Sequence, residues 1–168
     1  MILTTLTRKY HFSASHRLHT AALSDTENAR VFGKCNNPYG HGHDYELEVT
    51  LNGGVNADTG QIVPIERLDD YVRERVLARF SNRYLNVDVW EFRNLVPTTE
   101  NVLIVITRLL EQHWTERFGN DGPSLARIHV QETGRNGFEL EIADFERNVD
   151  AEPERASVQS ELHSRRFA

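Results

Sequence analysis

Two segments of the chain alternate between apolar and polar residues, and this alternation restricts the fold more than any other feature. Between residues 3 and 16 the apolar side chains fall on even positions from Tyr10 onward. Between residues 41 and 52 they fall on odd positions such as Tyr45 and Leu47. A period of two places successive side chains on opposite faces of a strand. Each segment is therefore predicted to be a strand with one buried face.

Two further segments have apolar residues at helical spacing. The first covers residues 65–80 and follows Pro64, and the second begins near Thr99 and has its apolar stripe at residues 102–113. Recurrence at intervals of three and four residues is typical of an amphipathic helix. Gly119 is predicted to end the second helix.

The apolar residues between 128 and 142 alternate again around a Gly-Arg-Asn-Gly turn at 134–137, which predicts a hairpin. The order is strand, strand, helix, helix, strand, strand. Because strands and helices are grouped, we expect an α+β fold, in which a four-stranded antiparallel sheet carries two helices on one face. Residues 17–40 and 81–97 are predicted to be loops.

The composition is that of one globular domain. The chain has 168 residues with a net charge of −6, which disfavours binding to nucleic acids or anionic membranes. It contains one cysteine and no apolar run of about 18 residues, so we expect a cytoplasmic protein without disulfides or a transmembrane helix. We predict a domain over 1–149 and a charged, flexible tail over 150–168.

Three histidines are candidate metal ligands. His41 and His43 open the second predicted strand with one residue between them, so both imidazoles point to the same side. His16 ends the first predicted strand. If the two strands pair, three imidazoles meet at one sheet edge and leave the fourth position of zinc open. A chance His-Gly-His pair and a core histidine would give the same pattern, so both interpretations stay open.

Four other residues have side chains suited to ligand chemistry. Cys35 is a candidate nucleophile or base beside Lys34, although a lone cysteine is more commonly a small buried residue. Glu132 continues an apolar row, where it either reaches solvent or accepts N–H bonds from a guanidine-like ligand. Thr98 and Thr99 are candidate helix-capping residues that could also bind polar ligand atoms.

Several motifs resemble the 6-pyruvoyl-tetrahydropterin synthase family. They are Phe12-Ser13-Ala14-Ser15-His16-Arg17-Leu18, Phe32-Gly33-Lys34-Cys35-Asn36-Asn37-Pro38-Tyr39-Gly40-His41-Gly42-His43, Pro97-Thr98-Thr99-Glu100-Asn101 and Gln131-Glu132-Thr133. The resemblance covers about residues 6–146. The spacing from His16 to Cys35 is closer to biopterin-pathway members than to 6-carboxy-tetrahydropterin synthases.

The resemblance implies the tunnelling fold, in which sheets form a barrel around a trimer and two trimers stack as a hexamer. It also implies zinc bound by His16, His41 and His43. The reaction of the family eliminates triphosphate from 7,8-dihydroneopterin triphosphate and leaves a pyruvoyl side chain.

The resemblance also assigns roles to the other candidates. Cys35 corresponds to the thiol base of the family, and Glu132 to the carboxylate that anchors the pterin. Thr98 and Thr99 would line the pterin pocket near a subunit interface. Recognition of a triphosphate needs cations near the zinc, and from their positions in the sequence Arg17 and Lys34 are the neighbours that could supply them; otherwise each is a solvated side chain.

One segment departs from the family pattern. Ser81 and Asn82 stand where the family has an Asp-His pair that relays protons, and neither residue exchanges protons near neutral pH. Another histidine could stand in, with His11 and His19 nearest in sequence. Alternatively the protein forms a 6-carboxy or other shortened side chain, or it binds zinc and pterin without catalysis.

Overall fold

The structure is a computed structural model that describes residues 3–143 and residue 145. The predicted tail at 150–168 lies outside these residues. The described strands are β1 Leu3–His16, β2 His41–Gly54, β3 Arg83–Tyr84, β4 Ser124–Gln131 and β5 Gly137–Glu141. The helices are α1 Asp25–Phe32, α2 Ile65–Val72, α3 Ala78–Phe80, α4 Leu85–Asp88, α5 Thr99–Glu111 and α6 Trp114–Phe118.

The sheet has the order β3-β1-β2-β4-β5, and its four long strands are antiparallel as predicted. β1 and β2 pair along their whole length, from Leu3 opposite Gly54 to His16 opposite His41. A fifth strand was not predicted, because β3 has two residues and too little sequence to show a period. It pairs in parallel with β1.

The hydrophobic core lies between one face of the sheet and the helices. Tyr10 and Phe12 from β1 and Tyr45 and Leu47 from β2 are buried there, as their alternation predicted. The opposite face of the sheet is polar, and we call it the open face. Its side chains form cross-strand ion pairs, of which Lys9–Glu46 is one. The sheet therefore has one face in the core and one face that the described helices leave uncovered.

The predicted helix over residues 65–80 is confirmed, and a π-helical segment, Arg73–Leu77, joins α2 to α3 within it. The second predicted helix is shorter than expected. α5 ends at Glu111, and Gly119 instead follows the separate helix α6.

The region 17–40 is not a simple loop, because it contains α1. Ser24 and Glu27 form a capping box that starts this helix. The buried Asn28 amide nitrogen donates to the carbonyls of Thr20 and Leu23, which ties the helix to the preceding chain. Among the described residues, no helix is long and apolar enough to cross a membrane.

Candidate functional site

Three imidazoles meet where β1 ends and β2 begins. The antiparallel register places His16 directly opposite His41, and His43 lies two residues further along β2. One ring nitrogen from each histidine lies within 4.8 Å of the others, and the ring centroids are 4.7 to 5.0 Å apart. The pairing of β1 with β2 thus brings the three histidines together, which the sequence alone did not decide.

The cluster has the chemistry of a metal site. His16 Nδ1 lies 2.8 Å from the Pro97 carbonyl oxygen, to which it donates, so Nε2 keeps its lone pair for the cluster. His16 Nε2, His41 Nδ1 and His43 Nε2 are buried and have no hydrogen-bond partner within the described part of the chain. Buried polar atoms without a partner are rare in folded proteins. Three converging imidazole nitrogens fit a tetrahedral zinc ion with one position left for another ligand.

Burial also sets the protonation of two of these rings. It lowers the pKa of His16 and of His41, since a charged imidazolium is poorly solvated there. The bond to Pro97 and the Glu132 carboxylate oppose this effect at His16. The neutral imidazole, which is the form that binds metals, is thereby favoured.

Glu132 directs its carboxylate into the cluster. It follows the end of β4, and its Oε1 lies 3.6 Å from His16 Nε2 and 3.7 Å from His43 Nε2. The hydroxyl of the buried Tyr45 donates to the same oxygen at 3.4 Å. The carboxylate is therefore held inside the site, rather than reaching solvent. In the sequence Tyr45 belongs to the apolar row of β2, although its hydroxyl, two residues after His43, was a signal that it could take part in the site.

Cys35 lies in a short 3₁₀ segment, Gly33–Asn36, and is half-buried. Its carbonyl oxygen accepts a hydrogen bond from the Leu18 amide at 2.8 Å. Burial and then the Glu132 carboxylate raise the pKa of the Cys35 thiol, and Lys34 is not among the causes. The expected lowering by Lys34 is not found, whereas a metal cation in the cluster would act in that direction.

The two threonines begin helix α5. The Thr98 hydroxyl accepts from the Asn101 amide at 3.4 Å, which confirms the helix-capping prediction. Thr99 is buried in the first turn. Both residues follow Pro97, whose carbonyl fixes His16, so the start of α5 lies next to the histidine cluster.

Arg17 and His19 stabilise the chain around Cys35 rather than standing free. Arg17 Nη2 donates to Asn36 Oδ1 at 3.1 Å, and His19 Nδ1 lies 3.2 Å from the same oxygen. The Asn86 side chain bonds both the amide and the carbonyl of Arg17. Lys34 is exposed. Arg17 and Lys34 were the two cations suggested for binding a triphosphate. Arg17 is engaged by these hydrogen bonds, whereas Lys34 is not.

Ser81 and Asn82, the segment that departs from the family pattern, lie beside the outer edge of β1, just before β3. The Asn82 amide donates to the Ser13 carbonyl at 2.7 Å, and Asn82 has a φ of 59°. Both residues line a cavity of about 300 Å³ together with His11, Ser13 and Asp44. His11, one of the two histidines singled out by sequence, therefore lies near this segment.

This fold and site define an α+β protein in which three histidines at the end of two paired strands form a site that could hold a metal ion. The sequence profile of the 6-pyruvoyl tetrahydropterin synthase family matches residues 5–143, and the chain belongs to this family.

Relatives support the same assignment. The chain is 44% identical to human 6-pyruvoyl tetrahydrobiopterin synthase over 101 residues, which are 60% of this chain and 70% of the human protein. The solved structure of Caenorhabditis elegans 6-pyruvoyl tetrahydropterin synthase is 37% identical, with a TM-score of 0.75, over 84% of this chain and 96% of that one. The Plasmodium vivax 6-pyruvoyl tetrahydropterin synthase, at 15% identity and a TM-score of 0.56, shares the fold over 83% of this chain and 98% of that one.

Proposed function

We propose that this protein is a zinc-dependent lyase that eliminates triphosphate from 7,8-dihydroneopterin triphosphate. The observation that carries the proposal is the convergence of three unpartnered imidazole nitrogens beside the Glu132 carboxylate. The names of the relatives at 37–45% identity support the same activity. The reaction is the one that the family resemblance implies.

The metal site would be formed by His16, His41 and His43. When bound, zinc supplies Lewis acidity, which polarises side-chain oxygens of the pterin and makes the adjacent C–H bonds more acidic. The hydrogen bond from His16 to the Pro97 carbonyl fixes the orientation of that imidazole.

Glu132 would anchor the pterin ring. An ionised carboxylate accepts two N–H bonds from a guanidine-like edge, as it does from arginine. Tyr45 donates to Glu132 Oε1, which limits the rotation of the carboxylate and leaves its other oxygen for the ligand. Thr98 and Thr99 at the start of α5 would contribute polar contacts to the same pocket.

Cys35 would move protons on the side chain of the bound pterin. In the elimination, a proton leaves one side-chain carbon and triphosphate leaves the next with the electron pair of its C–O bond. The pterin ring is reduced while the side-chain carbons reach the pyruvoyl level, so the redox change is internal and needs no external oxidant.

One incubation tests the proposal. The zinc-loaded protein is mixed with 7,8-dihydroneopterin triphosphate, and triphosphate release and the mass of the pterin product are followed, with Cys35→Ala as the comparison. We expect release with a pyruvoyl product and loss of turnover in the variant. A product with a shorter side chain would identify a different dihydropterin enzyme. Binding without release would contradict the lyase and indicate a non-catalytic pterin-binding protein.

A further inference from the structure

The Glu132 carboxylate lies on the same face of the sheet as the three histidines, which is the face that packs against the helices rather than the open face. Glu132 continues the core-facing row of β4, two residues after the buried Val130. Val130 lies opposite Leu47 of β2, which belongs to the same row as His43. The carboxylate therefore reaches the cluster from the end of a third strand, on the side of the sheet that holds the imidazoles.

The position of this carboxylate suits a metal ligand better than a hydrogen-bond partner of the histidines. Its Oε1 is almost equally far from His16 Nε2 and His43 Nε2, at 3.6 and 3.7 Å. A hydrogen bond to one protonated ring would bring that nitrogen to about 2.7–3.2 Å from the oxygen. The donor atoms around a tetrahedral zinc ion, with bonds of about 2.0–2.2 Å, lie about 3.3–3.6 Å apart. The two observed distances are close to this spacing.

The Glu132 carboxylate also has few partners for its charge. Its side chain is 11% exposed, and within the described residues the Tyr45 hydroxyl, at 3.4 Å, is the one hydrogen-bond donor to it. His16 Nε2 and His43 Nε2 lie beside it without a hydrogen-bond partner in this part of the chain. A buried carboxylate usually requires a paired charge or a metal ion. A divalent cation between these atoms satisfies the carboxylate and both nitrogens together.

The same carboxylate cannot bind the metal and anchor a pterin at the same time. In a pterin, the guanidine-like edge and the carbon that carries the side chain lie at opposite ends of the two fused rings. A ligand whose side-chain oxygens reach the metal therefore holds its guanidine-like edge away from the metal. Glu132 has to leave the cluster to accept N–H bonds from that edge. Its backbone amide donates to the Asn136 carbonyl at 3.0 Å, so the backbone is held in the hairpin and the side chain makes the movement.

We propose that Glu132 is the fourth ligand of the metal in the pterin-free protein and that a bound pterin displaces it. The guanidine-like edge draws the carboxylate away, and a side-chain oxygen of the ligand takes the position that it leaves. One metal–oxygen bond breaks and another forms, with no change of oxidation state. This inference rests on the proposed ligand class, but it does not require triphosphate elimination. The open position on the metal is then created by the pterin itself, which keeps the Lewis acid from other oxygen ligands.

Cobalt(II) in place of zinc tests the proposal, because the visible absorption of this ion depends on the number and kind of its ligands. Spectra are recorded for the natural protein, for Glu132→Gln and for Glu139→Gln, a control on the exposed edge strand β5. Each protein is then titrated with 7,8-dihydropterin, which has the guanidine-like edge but no side chain to reach the metal. Thermal melting of each variant checks that it is folded.

We expect Glu132→Gln to shift the visible band of the cobalt protein and to weaken cobalt binding by at least about tenfold, since the loss of even an outer partner costs about 10–100-fold. Glu139→Gln should have the natural spectrum and affinity. Addition of 7,8-dihydropterin should shift the band of the natural protein toward that of Glu132→Gln, because the carboxylate leaves the metal. The same addition should leave the spectrum of Glu132→Gln unchanged.

Identical cobalt spectra for the natural protein and Glu132→Gln would overturn the ligand assignment. A natural spectrum that stays constant while fluorescence shows 7,8-dihydropterin bound would overturn the displacement. A spectrum that depends on Glu132 without any pterin binding would support the fourth ligand while contradicting the proposed ligand class. A shift caused by the pterin in a protein that releases no triphosphate would support the exchange of ligands while contradicting the lyase.

Discussion

At the scale of single residues, one hydrogen bond decides which nitrogen of His16 faces the cluster. The Pro97 carbonyl occupies Nδ1 and leaves Nε2 directed toward the nitrogens of His41 and His43. His16 is 1% exposed, so its neutral form is held in place by burial as well. The orientation of His16 toward the cluster is therefore set by this hydrogen bond and by the burial of the ring.

Replacing His41 with alanine should weaken zinc binding by more than about 100-fold, because even the loss of an outer partner typically costs 10–100-fold. Zinc content after dialysis against a weak chelator measures this, together with turnover. His113→Ala is the matched control, since His113 pairs with Glu116 on the protein surface. Full zinc occupancy in His41→Ala would contradict the ligand assignment.

Glu132→Gln should reduce pterin affinity by at least about tenfold while zinc stays bound, since hydrogen bonds to a charged group contribute about 1.5–3 kcal/mol. The amide keeps the size of the side chain but replaces one acceptor by a donor. Fluorescence titration with a dihydropterin measures the change. Glu139→Gln, on the exposed edge strand β5, should bind as tightly as the natural protein. Equal affinity in both variants would contradict the anchoring role.

At the scale of elements, β1 is tied to helix α2 by a small polar cluster at the rim of the core. Asp69 accepts from both Arg8 Nε and the Tyr10 hydroxyl, at 2.9 and 3.0 Å. The Arg8 hydrogen bond, the Tyr10 hydrogen bond and the charge of Arg8 lower the pKa of Asp69, although burial opposes them. Since β1 carries His16 at its end, this cluster helps to fix the strand that positions the site.

The lowered pKa of Asp69 predicts a pH dependence of stability. Because the folded pKa lies below the unfolded value of about 3.9, the contribution is fully present above that value. It is lost as the pH falls through the folded pKa. The decrease in melting temperature caused by Asp69→Asn should therefore be largest near neutral pH. The difference should shrink toward pH 3 and below.

Asp70→Asn is the matched control for this measurement. Asp70 is the next residue in α2, but it pairs with Arg73 on the surface, where an ion pair contributes little. Its melting curve should follow that of the natural protein across the pH range. A constant difference between Asp69→Asn and the natural protein at every pH would show that the charge of Asp69 is not the cause.

At the scale of the whole molecule, the described sheet ends in two open edges. β5 pairs with β4 on one side only, and the two-residue β3 covers just the end of β1. An uncovered edge presents free backbone donors and acceptors that favour pairing with another strand.

We expect the protein to form a hexamer of two trimers, as the family resemblance implies. Multi-angle light scattering during size-exclusion chromatography measures the mass directly. A mass six times that of the chain would agree with this expectation, and a monomer at micromolar concentration would contradict it.

Much of the fold followed from the sequence alone, because a period of two or of 3.6 residues reports directly on which face of an element is buried. The long strands, the two main helices and the hairpin were predicted in this way. The loop at 17–40 was not resolved into α1, since its helix is short and depends on Asn28 and the Ser24 cap. β3 was missed because its pairing with β1 is long-range.

For the site, the sequence determined the residue types and the local spacing, which sufficed to name the three histidines, Cys35 and Glu132 as candidates. Only the tertiary structure decided that they are neighbours, because register between β1 and β2 is set by burial of a whole face. The same pairing placed His11 opposite Glu46, and a separate contact of residues 81–82 with the outer edge of β1 placed Asn82 beside Ser13, across almost 70 residues of chain. Such proximity depends on packing between elements, which no local pattern contains.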